Sequence, residues 1–462
     1  MAHHQDSPHN ESVFQLAKWA YEFAGAAVPK SSSERIIDIL IDSAACAFSA
    51  AADEKGAGVL KVVRGSGVGG ACTVIGTGMR TSLPQAAFAN GALIRLLDFN
   101  DTYNGPKQIG HPSDILSAAL AAAELAKRSG DDLQRAVRLG YEVYGRLLDL
   151  TDPETDWDHV SACGISSAVM CGWLLRLSPQ QLGNAIALAA THSATLGEVR
   201  VGKVSTAKSI ASAVVVQTAA LVTLLAAEDL TGPPQAIEGR RGYARLLLDG
   251  SDFSQFFAPS PRDRLDATGF KPYPCFALGQ GPISLAAQLR GRAPLHDIDR
   301  VDVFLADTGP ARLRLSDSHG RTPESNEAAD HSVYVLVALA LIDGLVTGSQ
   351  FATGRWREPD VASLIARIHA QVDPSLTPAK NLPCKIVVTA KGRTYAAECA
   401  ASPGNPANPL PRAAIVAKFN RCAAGRLGAD DQRFIVEAFE NLHSLPTLEP
   451  LLGKLGQAPH SS

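Results

Sequence analysis

The sequence predicts a mainly α-helical protein with a second, α+β part inserted before its last helices. Three observations carry this. Apolar residues recur at three-and-four spacing through most of residues 12–261, the period of helices packed on a core. From 262 to 405 helical stretches are mixed with runs that alternate apolar and polar residues, the period of strands. The segment ASPGNPANPLP then interrupts both patterns, and helical spacing returns. A chain of 462 residues exceeds one small domain. The expected organisation is a flexible N-terminus over 1–11, a helical domain over 12–261, an α+β domain over 262–405, and C-terminal helices over 406–462 that rejoin the first domain.

The elements follow in order. ERIIDILIDSAACAFSAA and LPQAAFANGALIRLLD read as amphipathic helices, the second with Pro84 in its first turn. CTVIGTG is the one early strand candidate. SPQQLGNAIALAATH opens with a capping box, Ser178 and Gln181. Many of these helices are rich in Ala and Gly, which lets helix axes approach closely. SIASAVVVQTAALVTLLAAEDL is apolar enough to suggest a membrane span, but Ser, Gln and Thr interrupt it and Glu228 and Asp229 end it. A fully buried core helix is expected there. In the α+β part, RVDVFLAD reads as a strand, and CKIVVTAKGRTYAAECA as a hairpin turning at Lys391–Gly392. Helices are expected near 324–345 and 357–371, then over AAIVAKFNRCAAG and QRFIVEAFENLHSL.

Bulk properties exclude several function classes. A net charge of −3 provides no global field for nucleic acid or an anionic membrane, so neither is an expected partner. None of the eight Cys forms a C-x-x-C pair, and no His stands at zinc-finger spacing from them. They read as small buried hydrophobes of a reducing compartment. The first residues lack the apolar core of a secretory signal, so a cytoplasmic protein is expected. P-loop, dinucleotide-fold, zinc-protease and serine-hydrolase signatures are all missing. No cofactor and no metal are expected.

The candidate chemistry is scattered. In LLDFNDTYNGPKQIGHPSD, Asp98 ends an apolar helix and Thr102 follows four residues on. Both can serve one pocket, or simply bond the backbone of a helix-end turn. His111 precedes Pro112 at the start of a further helix, where the dipole favours a neutral imidazole; the plain alternative is a surface His. His159, in ETDWDHVSACG, is a second helix-start imidazole or a solvated loop residue. Lys208 leads into an uncharged run and needs water or an anion, unless it snorkels to the surface. Arg200 and Lys203 stand just upstream and can belong to the same basic mouth. Lys271 opens the Pro-flanked segment KPYPCFALGQGP where the texture changes; it suits a cleft ligand or is a surface Lys. Tyr334 follows His331 by three residues in a helical pattern and is either functional or core.

With these pieces in place, the chain resembles the MmgE/PrpD family, which includes 2-methylcitrate dehydratase and cis-aconitate decarboxylase. LLDFNDTY followed by GHPSDIL is the most specific match, and it leans toward the dehydratase branch. LTGPPQAIEGRRGY, FKPYPC, HSVYVLVALALIDG and a late NP…KF follow the same pattern, from about residue 12 to 455. Two departures stand out. Gln280 occupies a place where members often carry a His, and GEVRVGKVSTAK follows the dehydratase branch only loosely.

The resemblance implies a large helical domain with an inserted α+β lid, an active site in the cleft between them, and a homodimer. It places the pocket on Asp98, Thr102, His111, His159, Lys208, Lys271 and Tyr334. The implied reaction removes water from a 2-hydroxy tri- or dicarboxylate by metal-free acid/base chemistry. Lys208 and Lys271 would hold carboxylates. One of His111 and His159 would take a proton, and the other, or Tyr334, would protonate the departing hydroxyl. Asp98 would orient an imidazole, and Thr102 would bond substrate. Decarboxylation of a cis-aconitate-type acid is the rival within the family. A non-catalytic protein that binds a carboxylate metabolite is the alternative of another class.

Overall fold

The computed structural model describes residues 11–67, 69–152, 154–201, 205–248, 252–317 and 319–459. The N-terminus expected to be flexible therefore lies outside the described residues except for Glu11, and Lys203 lies outside them too. The chain forms two compact units. One holds the residues up to Leu96, Tyr103–Thr268 and those from Ile415 on. The other holds Leu97–Thr102 and Gly269–Ala414.

These limits differ from the sequence reading in three places, each for a local reason. Residues 262–268 stay with the helical unit because ion pairs tie them down: Arg138 donates to Asp263, and Arg264 donates to Asp149. Residues 406–414 stay with the α+β unit. There the Asn408 side chain donates to the Ala401 carbonyl, and the Asn408 carbonyl accepts from the Gly404 N–H. Leu97–Thr102 join the α+β unit because Asp98 pairs with Lys271.

The helical unit opens with α1 (Ser12–Gly25), α2 (Lys30–Ala51) and α3 (Glu54–Gly65). CTVIGTG supplies only β1 (Cys72–Thr73), paired with β2 (Arg80–Thr81). Then come α4 (Leu83–Arg95), the short strands β3 (Thr102–Asn104) and β4 (Ile109–Gly110), and α5 (Leu116–Leu125). The Gly-Pro loop after Asp98 is thus partly a hairpin, with Tyr103 opposite Gly110 and Asn104 opposite Ile109. The unit continues through α6 (Gly130–Leu150), α7 (Ala162–Leu174), α8 (Pro179–His192), α9 (Ala207–Ala227) and α10 (Tyr243–Leu247). The capping box at Ser178 and Gln181 is formed.

Small residues let these helices meet. A Cβ on Gly91 of α4 would fall 2.9 Å from Ser117 Oγ, and one on Gly164 of α7 would fall 2.4 Å from Ser193 Cβ. α9 packs against α4, α7 and α8. It alone among the described helices has the length and hydropathy of a membrane span, with 56% of its most apolar window buried. The expectation of a fully buried helix is corrected: Val214 (46% exposed), Leu221 (49%) and Leu225 (37%) form a stripe on its outer face. Their spacing of seven and four keeps them on one side, while the intervening Ala and Val residues pack inward.

The two-residue strand β5 (Thr268–Gly269) marks the crossing to the second unit. There α11 (Gln280–Leu289) precedes β6 (Ile298–Ala306), α12 (Gly309–Ser316), α13 (Asn326–Ala329), α14 (Val333–Asp343) and α15 (Gly348–Ala352). After α16 (Pro359–Ile365) come β7 (Ile368–Asp373), β8 (Cys384–Ala390) and β9 (Arg393–Cys399). The sheet order is β7-β6-β8-β9, with β6 parallel to β7 and antiparallel to β8. At the β8–β9 turn Lys391 and Gly392 both take positive φ, 46° and 74°, as a two-residue hairpin turn requires.

Two expected helices are corrected. The one near 357–371 stops at Ile365, and Ile368–Asp373 is a strand, because Ile368, Ala370 and Val372 alternate with polar residues. The one near 324–345 is two helices. Ser332 caps the second, accepting from the Val335 N–H at 3.2 Å. His331 therefore lies in the break before α14 and does not share a helical face with Tyr334.

The C-terminal helices are α17 (Arg412–Ala423), α18 (Ala429–Glu440) and α19 (Glu449–Leu455). Lys418 of α17 donates to Asp42 of α2 at 2.7 Å, and both side chains are buried. Burial opposes the Lys418 charge, but Asp42 and Cys46 outweigh it and its pKa lies above the ordinary value. Lys418→Met should cost about 3–5 kcal/mol of unfolding free energy, because it strands a buried carboxylate. Adding Asp42→Leu should restore most of that loss in a urea titration.

Candidate active site

The helical unit gathers His111, His159 and Lys208. His111 is only 8% exposed, which overturns its reading as a surface residue. It stands at the N-cap of a four-residue 3-10 turn, Pro112–Ile115, that leads into α5. The α-helix proper begins a turn later, which weakens the pull of its dipole on His111. Its backbone N–H donates to the Tyr144 hydroxyl at 3.0 Å.

His159 begins a 3-10 turn before α7, with Asp158 as N-cap accepting from the Val160 N–H. It is not a solvated loop residue, since only 10% of its side chain is exposed. The rings of His111 and His159 lie 5.5 Å apart, centroid to centroid. His159 Nδ1 is 3.2 Å from the Tyr144 hydroxyl, and its Nε2 is 2.8 Å from Arg200 Nη2. Arg200 also forks onto both oxygens of Asp158.

These contacts fix the tautomer. A guanidinium can only donate, so Nε2 must accept and Nδ1 carries the proton toward Tyr144. Burial, and then the Arg200 charge, push the imidazole down to about 3, against some opposition from Asp158. Arg95 and Lys208 push the same way. Burial would raise the Asp158 carboxyl, but His159 and Arg200 hold it well below the ordinary range. Lys208, at the start of α9, is buried and does not snorkel out. Arg95 lies 3.8 Å from Asp114, and both are fully buried.

A pH dependence of stability follows. The unfolded chain takes up a proton at His159 near 6.5, and the folded chain only near 3. Stability should therefore fall as pH drops through this window. His159→Gln should remove that share of the acid sensitivity, measured as unfolding temperature against pH.

The α+β unit contains Asp98, Thr102, Lys271 and Tyr334, and it brings Asp98 and Lys271 into contact. Asp98 has left-handed backbone, φ 48°, just past the end of α4. Lys271, 2% exposed, donates to both the Asp98 carbonyl and its Oδ1 at 2.9 Å. The surface reading of Lys271 is corrected by that burial. The imidazole that Asp98 faces within this unit is His331, whose Nε2 is 3.4 Å from Asp98 Oδ2. The Nδ1 of His331 faces Asp330, and Phe276 stacks on the ring.

Thr102 is buried at the head of β3. Tyr334 is buried in the first turn of α14, with Arg321 4.3 Å over its ring. Gln280, the departure from the family pattern, is a brace. Its amide accepts from the Tyr273 N–H at 3.1 Å and donates to the carbonyls of Tyr273 and Cys275. It thereby holds the segment that carries Lys271.

Sequence reasoning missed Tyr144, Asp158 and His331 as site residues and gave Arg200 no contact. His331 had a signal, an acid beside an imidazole in Asp330–His331. Tyr144 had none, being one aromatic on an amphipathic helix. Among the described residues, no three His, Cys, Asp or Glu side chains converge as metal ligands would.

Residues 14–255 match the family model described as the MmgE/PrpD N-terminal domain, and residues 273–444 match that of the MmgE/PrpD C-terminal domain. The chain is 29% identical over 364 residues to a 2-methylcitrate dehydratase of Cupriavidus necator, covering 75% of this chain and 74% of the relative. It is 25% identical over 392 residues to the cis-aconitate decarboxylase of Mus musculus, covering 78% and 76%. It is 27% identical over 337 residues to the 2-methylcitrate dehydratase of Escherichia coli K12, covering 68% of each.

Proposed function

Since the chain belongs to the MmgE/PrpD family, we propose that it is a hydro-lyase that dehydrates 2-methylcitrate or a related 2-hydroxy acid to a cis-aconitate-type product. The observation that carries this is the His111–His159 pair. It offers two imidazoles 5.5 Å apart, His111 buried and His159 only slightly exposed, one with an assigned tautomer, among the cations Arg95, Arg200 and Lys208. Similarity to two 2-methylcitrate dehydratases supports the substrate class.

In the reaction, a C–H bond next to a substrate carboxylate breaks and its proton passes to one imidazole. The electron pair forms the C=C bond as the neighbouring C–O bond breaks, and the hydroxyl leaves as water after protonation by the second imidazole or by Tyr334. Lys208 and Lys271 bind carboxylates and stabilise the charge that develops on them. Asp98 orients His331, and Thr102 bonds substrate.

The protein is also proposed to be cytoplasmic and to form the homodimer implied by the family resemblance. The outer stripe of α9 offers apolar surface for such an assembly.

The test is an ultraviolet assay of purified protein with 2-methylcitrate, citrate and cis-aconitate, following the conjugated double bond. Absorbance should rise with 2-methylcitrate, and the rate should survive dialysis against EDTA. Loss of activity that a divalent metal restores would overturn the metal-free part of the reading. Turnover of none of the three acids would leave a binding protein.

A further inference from the structure

Arg200 occupies the one nitrogen that His159 would need as a base. The Arg200 guanidinium, a donor only, is 2.8 Å from His159 Nε2, which therefore holds the lone pair and leaves the proton to Nδ1. A lone pair so engaged cannot accept a substrate proton. The same guanidinium is forked on Asp158, yet about a quarter of its side chain, 26%, remains exposed, whereas Asp158 is 1% exposed. Arg200 is thus tied to Asp158 and His159 while part of its side chain stays exposed. A planar fork is the group best suited to a second carboxylate.

We propose that Arg200 is a substrate-displaced latch: a carboxylate of the incoming acid binds its guanidinium, draws it off His159 Nε2 and frees that lone pair for proton abstraction. The proposal rests on the hydro-lyase reading and adds to it a residue that both recognises the substrate and arms the base. Asp158 keeps the guanidinium near the site while it changes partner. The groups acting on His159 are Arg200, Asp158, Tyr144, His111, Arg95 and Lys208. Withdrawing the Arg200 hydrogen bond and bringing in an anion act in the same direction on the imidazole. Both favour its protonated form, so the base strengthens only when substrate is present.

The probe is tricarballylate, a tricarboxylate without the hydroxyl that dehydration removes. Full-length protein with ¹⁵N-labelled histidine is titrated with pH, free and saturated, as wild type, Arg200→Met and Arg200→Lys. His159→Gln identifies the signals. Ligand-free wild type should show His159 protonated at Nδ1 only. Saturation should move its titration midpoint upward by a pH unit or more. Arg200→Met should bind tricarballylate at least tenfold more weakly and show the raised midpoint without ligand. Arg200→Lys should recover part of the affinity.

A His159 midpoint unmoved by saturation, or wild-type affinity in Arg200→Met, would overturn the latch. If Arg200→Met does not fold, the wild-type titration decides alone. The two claims separate: dehydration of 2-methylcitrate with an unmoved His159 midpoint sinks the latch and spares the hydro-lyase. A moved midpoint without turnover does the reverse.

Discussion

Glutamine at His111 or at His159 should lower turnover of 2-methylcitrate by about 10²–10⁴, the typical worth of a positioned acid or base. The fold should persist in both. At 111 the contact that reaches Tyr144 is the backbone N–H, which the substitution keeps. At 159 an amide can present an oxygen to Arg200 and an N–H to Tyr144, in place of the two ring nitrogens. The two variants need not fall equally, and the proton-abstracting residue is the one whose loss also abolishes solvent deuterium exchange at the substrate C–H. Near-normal turnover in a well-folded variant at either position would remove that residue from the chemistry. His111 would then be a turn residue that anchors Tyr144.

Alanine at Lys271 should weaken transition-state binding by roughly 2–4 kcal/mol, the scale for a lost charge-stabilising group. The structure adds a second expected effect. Lys271 is buried against Asp98, so its removal strands a carboxylate and should cost about 3–5 kcal/mol of stability. The two effects separate in a double variant. Asp98→Asn with Lys271→Ala should recover most of the lost stability and none of the lost kcat/KM. Recovery of both would make the pair a structural clasp with no part in binding substrate. Lys208→Ala is the companion on the helical unit. Lys208 acts electrostatically on His159, so its loss should also raise the His159 midpoint.

Much of the fold was legible in the sequence because its signals are local. The capping box at Ser178 and the Lys391–Gly392 turn are each decided by a few neighbouring residues, and both form. What failed was decided at longer range. Ile368–Asp373 became a strand because β6 offers it a parallel partner, which a helix-length window does not register. The boundary at 262 shifted because Asp263 and Arg264 find charges on α6, more than a hundred residues earlier in the chain. α9 was expected to be wholly buried because composition does not reveal which side of an apolar helix a neighbour covers.

For the candidate site, the individual side chains stood out as charges or imidazoles in apolar surroundings. Their partners did not. Asp98 was expected to orient an imidazole, and within its own unit it faces His331, some 230 residues on. Arg200 was visible only as a nearby cation, and its hold on His159 Nε2 depends on the turn at 158–161.

The central claim is that this chain removes water from a 2-hydroxy tricarboxylate. Mass analysis of the product formed from 2-methylcitrate by the chelator-treated wild-type protein tests it most directly. The product should be lighter than substrate by one water, with three carboxylates retained and no carbon dioxide released. Release of carbon dioxide, or recovery of unchanged 2-methylcitrate alongside decarboxylation of cis-aconitate, would contradict it.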